Sequence, residues 1–353
     1  MMNLFYELIR FALGTQDRLS RIPTSKEWQK LYDLATSQSI VGICYAGIQK
    51  LNRDQQPERA LLLTWKGVAA RIQKRNEEMD EYTSEGLRFF REKGFPCQIL
   101  KGQGVAKLYG NLSVLRNSGD IDLWVAGRKE KLFQLSRDTI GKIKGWNNFH
   151  ILFPGIYDGD VEAHLRPARL YNPFKDRLFH KFCLQHIPQD GCADSPSLEF
   201  NRVYILLHCF NHFCGRGVGL RQIMDYYFVL KSSFEADPSQ SYKQDTMMWI
   251  KKLGLLRFAS AMMWVFQEVF GMDERFLLCE PNEKEGKYLK REIMLTGNMG
   301  KYDSRFSWSE YTTPLKRFVN NQKKNIKLLS HYPEEVFWNP IYNIFRYFYT
   351  RIK

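Results

Sequence analysis

The sequence predicts an α+β fold, with a small mixed β-sheet flanked by helical regions at both ends. Three observations carry that prediction. Residues 1–93 show apolar positions at helical spacing, bounded by helix start and stop residues. Residues 95–166 alternate strand-like and helix-like segments in the order β-α-β-α-β-β, which calls for a small sheet with helices packed on it. From about Ser197 the apolar positions recur again at three and four, as in SLEFNRVYILLHCFNHF. The regions that follow are an N-terminal helical region 1–93, a sheet-bearing core 94–190 and a C-terminal helical domain 191–353.

At 353 residues the chain exceeds one typical core, and with 44% hydrophobic, 14% aromatic and 25% charged residues it can fold and is not a disordered chain. A formal charge of +14 favours anionic partners such as nucleotides, nucleic acid or acidic surfaces. Seven cysteines with no CxxC pair predict reduced thiols and a cytoplasmic protein. The opening MMNLFYELIRFALG carries Glu7 and Arg10, so it reads as an amphipathic helix and not as a secretory signal. The longest uncharged stretch, 34–49, is shorter than the ~20 apolar residues of a membrane span, so none is expected.

In chain order, Thr24 and Glu27 form a capping box at the head of TSKEWQKLYDLATSQ. A long helix begins at Pro57 and ends at Lys93, where Gly94 and Pro96 stop it. FPCQILKG is a strand, GQGVAKLYG a short helix, DIDLWV a strand and RKEKLFQLSRDTIGKI a helix; HILF and DVEAHL are two further strands. The tail joins a basic helix, LKRFVNNQKKNIKLL, to the aromatic run VFWNPIYNIFRYFY, with eight basic against two acidic residues between 311 and 353. That tail can serve as an RNA surface through phosphate contacts and base stacking; the reading preferred is a helical domain with its aromatics in its own core.

The segment LRNSGDIDLWV carries the chemistry. Successive side chains of a strand alternate faces, so Asp120 and Asp122 converge on one side while Ile121 and Leu123 enter the opposite layer. Like charges so placed need a cation, and paired carboxylates suit Mg²⁺ or Mn²⁺, which also take phosphate oxygens. Upstream, LKGQG puts Lys101, Gly102 and Gly104 between a strand and a short helix, whose first amides point at a phosphate position. Downstream, Asp158, Asp160, Glu162 and His164 recur at period two and share one face of a regular strand. A third carboxylate is therefore available to complete a two-ion site for phosphoryl or nucleotidyl transfer.

Together LKG, LYGN, RNSGDIDLWV, VEAHL and GLRQIMDYYFVL resemble the nucleotidyltransferase-like family of bacterial proteins, the uncharacterised nucleotidyltransferases of the polymerase-β-like superfamily. The superfamily signal covers residues 95–166 and the family signal extends to about Leu230. The resemblance implies a nucleotidyltransferase core in which Gly102 is the motif glycine, Asp120 and Asp122 bind two divalent ions, and Glu162 is the third acid. It further implies a nucleoside triphosphate substrate. The chain departs from the pattern twice: Gln103 follows Gly102 where serine is usual, and seventeen residues separate Gly102 from Asp120, the extra length being NLSVLRNS. Arg116 and Ser118 are the candidates to supply what position 103 lacks, since a guanidinium takes phosphate oxygens bidentately.

Other constellations have plainer readings. His208 and His212 share a helix face with Cys209 and Cys214 nearby, but a zinc site lacks fixed further ligands. Arg221 and Asp225, four apart, pair along a helix, the alternative being Arg221 against a triphosphate. His164 orients a metal-bound carboxylate. The functional expectation is an enzyme that moves a nucleoside monophosphate from an NTP to an acceptor (small molecule, protein or RNA) with Asp120, Asp122 and Glu162 holding Mg²⁺ or Mn²⁺ and Lys101, Gly102, Arg116 and Ser118 holding the triphosphate. The alternatives are a catalytically degenerate nucleotide- or RNA-binding module of the same fold, and a toxin-like or partner-regulated protein that modifies tRNA or protein.

Overall fold

The computed structural model describes residues 1–146, 149–157, 159–187, 193–305 and 313–349. It is mostly helical, with one four-stranded mixed sheet. The N-terminal helices are α1 (Met2–Leu13), α2 (Ser25–Ser37), α3 (Val41–Lys50) and the 34-residue α4 (Arg59–Glu92). Thr24 closes the expected capping box on α2: its side chain accepts from the Glu27 amide, and the Glu27 carboxylate accepts from the Thr24 amide. Helix α4 ends at Glu92, and Gly94, at φ +76°, turns the chain toward the sheet.

The sheet region runs β1 (Cys97–Ile99), α5 (Gln103–Ala106), a 3-10 stretch (Lys107–Leu115), β2 (Ile121–Val125), α6 (Lys129–Ile140), β3 (His150–Tyr157) and β4 (Gly159–His164), in the order the sequence predicts. The strands lie β1-β2-β4-β3; β2 and β4 are parallel and the outer pairs antiparallel. One face of the sheet buries Ile121, Leu123, Val161, Ala163 and Phe153 against Met79, Leu87 and Phe90 of α4. Gly86 makes that approach possible, because a Cβ there would lie 3.1 Å from Leu123 Cδ1. The opposite face carries Asp122, Trp124, Glu162 and His164 toward the C-terminal helices.

Those helices are α7 (Pro173–His186), α8 (Leu198–Cys214), α9 (Leu220–Ala236), α10 (Tyr242–Lys252), α11 (Leu256–Phe270), α12 (Glu283–Thr296), α13 (Pro314–Leu328) and α14 (Pro333–Tyr349). Ser197 caps α8 through the Phe200 amide. A single apolar cluster runs from α1 and α3 through α8, α9 and α11, so the two helical regions share one core. The tail differs from its preferred reading: Phe337 and Phe345 on α14 are 62% and 76% exposed, while Tyr342 turns inward to accept a hydrogen bond from Arg169 at 2.6 Å. Arg351 and Lys353 lie outside the described residues, as do Cys192 and Asp158. The other six cysteines are free thiols. No described helix is long and apolar enough to cross a membrane.

Candidate active site

Parallel pairing of β2 and β4 sets Asp122 directly beside Glu162 and Trp124 beside His164. Side chains at paired positions of neighbouring strands share a face, so the first strand's acid and the later strand's acid meet across the sheet. Asp120 sits just before β2 at the open mouth, solvent-exposed yet crowded. Burial, and then the charges of Asp122 and Glu162, raise its carboxyl above the ordinary aspartate value. Three carboxylates on or beside the two central strands thus lie near enough for their charges to act on one another.

Asp122 is itself buried, and Lys101 and His164 hold it. Lys101 Nζ lies 2.8 Å from its Oδ2 and His164 Nε2 lies 2.8 Å from its Oδ1. Burial alone would raise this carboxyl; Lys101 first and His164 second reverse that and keep it well below the usual range. Lys101 reaches it because the chain turns sharply after β1. The Leu100 amide donates to the Asp122 carbonyl at 2.8 Å, and Lys101 and Gly102 follow at φ +34° and +46°. A glycine suits this turn, since φ is in the left-handed region at both positions.

His164 Nε2 also lies 3.2 Å from Glu162 Oε2, so the proton is assigned to that nitrogen, which faces two carboxylates. Burial lowers the affinity of this ring for a second proton, and the hydrogen bonds to Asp122 and Glu162 outweigh it, for a net rise. His150, opposite His164 across β3 and β4, completes the group, with Nδ1 3.1 Å from Glu162 Oε2. Ligand atoms of His150, Glu162 and His164 all lie within 4.8 Å of one another. His150 has no sequence signal beyond its place in HILF, which antiparallel pairing converts into proximity to His164 and Glu162.

The C-terminal helices close the site. His208 and His212 on α8 are 3.0 Å apart through their Nε2 atoms. Burial lowers both, with His212 next acting on His208 and Lys101 next on His212, the latter falling to about 3. They form a neutral hydrogen-bonded pair, and neither belongs to a three-ligand group among the described residues. Tyr204, one turn earlier on α8, has a buried hydroxyl without a hydrogen-bond partner, its proton held by burial and the Asp122 charge.

Three sequence expectations meet a different geometry. The first amides of α5 are spent in its own turn, since Gly104 donates to Lys101 O and Val105 and Ala106 to Gly102 O; the helix is one turn long and presents no phosphate cradle. Gln103 points away, donating to Asp80 of α4 at 2.6 Å. Arg116 is buried and grips Asp225 with two bonds of 2.7 and 2.8 Å, while Tyr109 donates to the same carboxylate at 2.7 Å. Asp225 therefore pairs with Arg116 and not with Arg221 along the helix. Ser118 is half-buried in the loop between Arg116 and Asp120.

The long insert before β2 now has a structural reason. Its 3-10 stretch packs on α4 and α9: Asn76 of α4 donates to the carbonyls of Val114 and Arg116 at 2.8 Å each, and the Tyr109 ring lies tilted 3.9 Å from Phe228 between centroids. The close approach to α3 requires Gly42, where a Cβ would lie 2.3 Å from Leu115 O. The extra residues thus dock the acidic loop onto the helices.

A small mixed sheet with an acidic pair entering one strand and a third acid in register on the parallel neighbour is the arrangement that the sequence resemblance implies. A family model described as uncharacterised nucleotidyltransferase matches residues 24–271. The chain belongs to that family. The match spans α2 to the end of α11, so it takes in the sheet, the acidic loop and the helices that close the site. A search of the curated proteins and of the solved structures returns no match.

Among the described residues, His150, Glu162 and His164 form a group whose ligand atoms are close enough to hold a metal ion, and Asp120 and Asp122 are not part of it. Burial and the Asp122 and Glu162 charges leave Asp120 with a raised carboxyl that a cation would relieve.

Proposed function

We propose that this member of the nucleotidyltransferase family moves a nucleoside monophosphate from an NTP to an acceptor hydroxyl or phosphate. The observation that supports the reading is the register of Asp122 with Glu162 across the parallel strands β2 and β4. Asp120, Asp122 and Glu162 are the residues that would hold Mg²⁺ or Mn²⁺, with His164 and His150 orienting the carboxylates. A bound divalent ion would supply charge neutralisation at the phosphates and acidify the attacking hydroxyl.

The chain's own groups supply the rest. Lys101, on a flexible stem at the mouth, can exchange its Asp122 partner for a phosphate oxygen, and Gly102 lets the backbone turn there without a side chain. Ser118 offers a hydroxyl on the loop before Asp120. Arg116 contributes by holding the loop to α9 and not by touching the nucleotide. In the transfer, the acceptor oxygen bonds to the α-phosphorus, the bond to the β-phosphate oxygen breaks, pyrophosphate leaves and the acceptor's proton passes to solvent.

A second reading, a nucleotide-binding module without chemistry, is favoured by two features: Lys101 and His164 already hold Asp122, and no serine follows Gly102. One experiment separates the two. Full-length protein is incubated with each α-labelled NTP, Mg²⁺ or Mn²⁺ and cell extract, beside the D120A and D122A variants and a chelator control. The enzyme reading expects label on an acceptor, lost in both variants and with chelator. Nucleotide binding without transfer under any metal leaves the module as the function.

A further inference from the structure

Arg221 stands at the start of α9, in the helical region outside the sheet, and its surroundings are unusual for a cation. It is largely enclosed by protein, and it forms no ion pair with a carboxylate among the described residues. Asp225, its neighbour one turn on, is taken by Arg116 and Tyr109. Of its five N–H bonds, one donates to the Asn117 carbonyl at 3.0 Å, and Nε is buried with no partner at all. An enclosed guanidinium with unused donors is costly, and such groups are paired in almost every folded protein.

The position of the guanidinium points to what pairs it. It lies against Gly119, the residue before Asp120: a Cβ on Gly119 would come within 3.1 Å of Nη1 and 3.7 Å of Nη2. Its charge acts on Asp120, and it is among the charges that disfavour protonation of His208 and His212. Arg221 therefore borders the mouth where the carboxylates converge, with an unused fork that matches a phosphate. Of the neighbouring carboxylates, Asp122 is held by Lys101 and His164 and Asp225 by Arg116, and Asp120 feels the Arg221 charge without forming an ion pair with it among the described residues.

We infer that Arg221 receives the β- and γ-phosphates of the nucleotide, taking the role that the residue order assigns to Arg116. The inference rests on the nucleotidyltransferase reading above. Arg221 binds the part of the substrate that leaves as pyrophosphate, so it contacts the nucleoside triphosphate and not the monophosphate that is transferred. The two arginines of this region divide the work, one fixing the loop and the other facing the substrate.

The test is binding by titration calorimetry, using the NTP that binds wild type most tightly and the corresponding NMP, in the full chain with Mg²⁺. Wild type should prefer triphosphate over monophosphate, and R221Q should lose on the order of 10- to 100-fold in NTP affinity while NMP affinity stays within about twofold. R221K, which keeps the charge without the fork, should fall between them and guards against a folding defect in R221Q. Equal NTP affinity in R221Q and wild type overturns the inference while leaving the family's reaction intact. Parallel losses for NTP and NMP assign Arg221 to bracing the Asn117 loop alone and also overturn it. A wild type that binds no NTP removes the nucleotidyltransferase reading itself.

Discussion

The loop from Arg116 to Asp122 joins two charged clusters that differ in how completely they are neutralised. At its start, Arg116 and Asp225 meet fork to carboxylate, with the Tyr109 hydroxyl on the same oxygen, all of it buried. Burial works against the Arg116 charge, and Asp225 more than restores it. At its end, three carboxylates share Lys101 and His164 at an open mouth, and Asp120 is left with its carboxyl raised. Balanced charge in a closed pocket holds a shape; unbalanced charge at an opening is free to take a ligand.

Removing one member of the closed pair should give the largest effect. D225A strands the Arg116 guanidinium in the interior and should cost about 3–5 kcal/mol in stability, read as a fall in the urea midpoint. An R116M/D225L double variant should recover part of that loss, since a buried pair is replaceable by apolar groups. In the open cluster the sign of the stability change is not the point. D122A and D120A should lower transfer activity by about 10²- to 10³-fold, and D120A, at the exposed position, should do so with little change in the urea midpoint.

A third carboxylate extends the comparison to one without its own cation. Glu335 on α14 is buried and accepts from the Tyr171 amide at 3.1 Å, while Lys175 pairs with the adjacent Glu334. Burial pushes it up to about 7, with the Glu334 charge adding to this and the Tyr171 amide and Lys175 opposing it. A raised acid binds more protons folded than unfolded, so the stability it contributes is complete below about pH 4.5 and is lost as pH rises through 7. Over that window the wild-type urea midpoint should fall by an amount equivalent to roughly 3 kcal/mol, and E335Q should flatten that part of the profile. The smallest effect is at the turn: G102A forces a side chain to φ +46° and should cost about 1–2 kcal/mol, with space itself no obstacle, since the nearest atom to its Cβ is 3.7 Å away.

Much of the fold was legible because its signals are local. The Thr24 and Glu27 box, the Gly94 stop and the strand alternation of DIDLWV each involve residues a few positions apart. That Asp120 and Asp122 share a face follows from a period of two within one segment, but that Glu162 stands beside Asp122 depends on the parallel pairing of β2 with β4. What stayed hidden depends on contacts across the chain. Arg221 and Asp225 look like partners at a spacing of four, yet Asp225 is claimed by Arg116 over a separation of 109 residues. That Lys101 pairs with Asp122 likewise depends on the turn after β1, which no local spacing announces. The aromatic run 336–349 suggests a core by composition, but composition does not say which helix face meets a neighbour, and Phe337 and Phe345 face outward.

Helix α9 brings to the sheet both the acid that anchors the loop and, one turn earlier, the arginine at the mouth. A polypeptide ending after β4 would keep every strand and all three acids, but the Arg116 charge would have no counterpart and the loop no anchorage. Swapping the sheet between relatives would therefore succeed only when this later helix travels with it, and a lesion in α9 would be felt at the acids although it touches none of them.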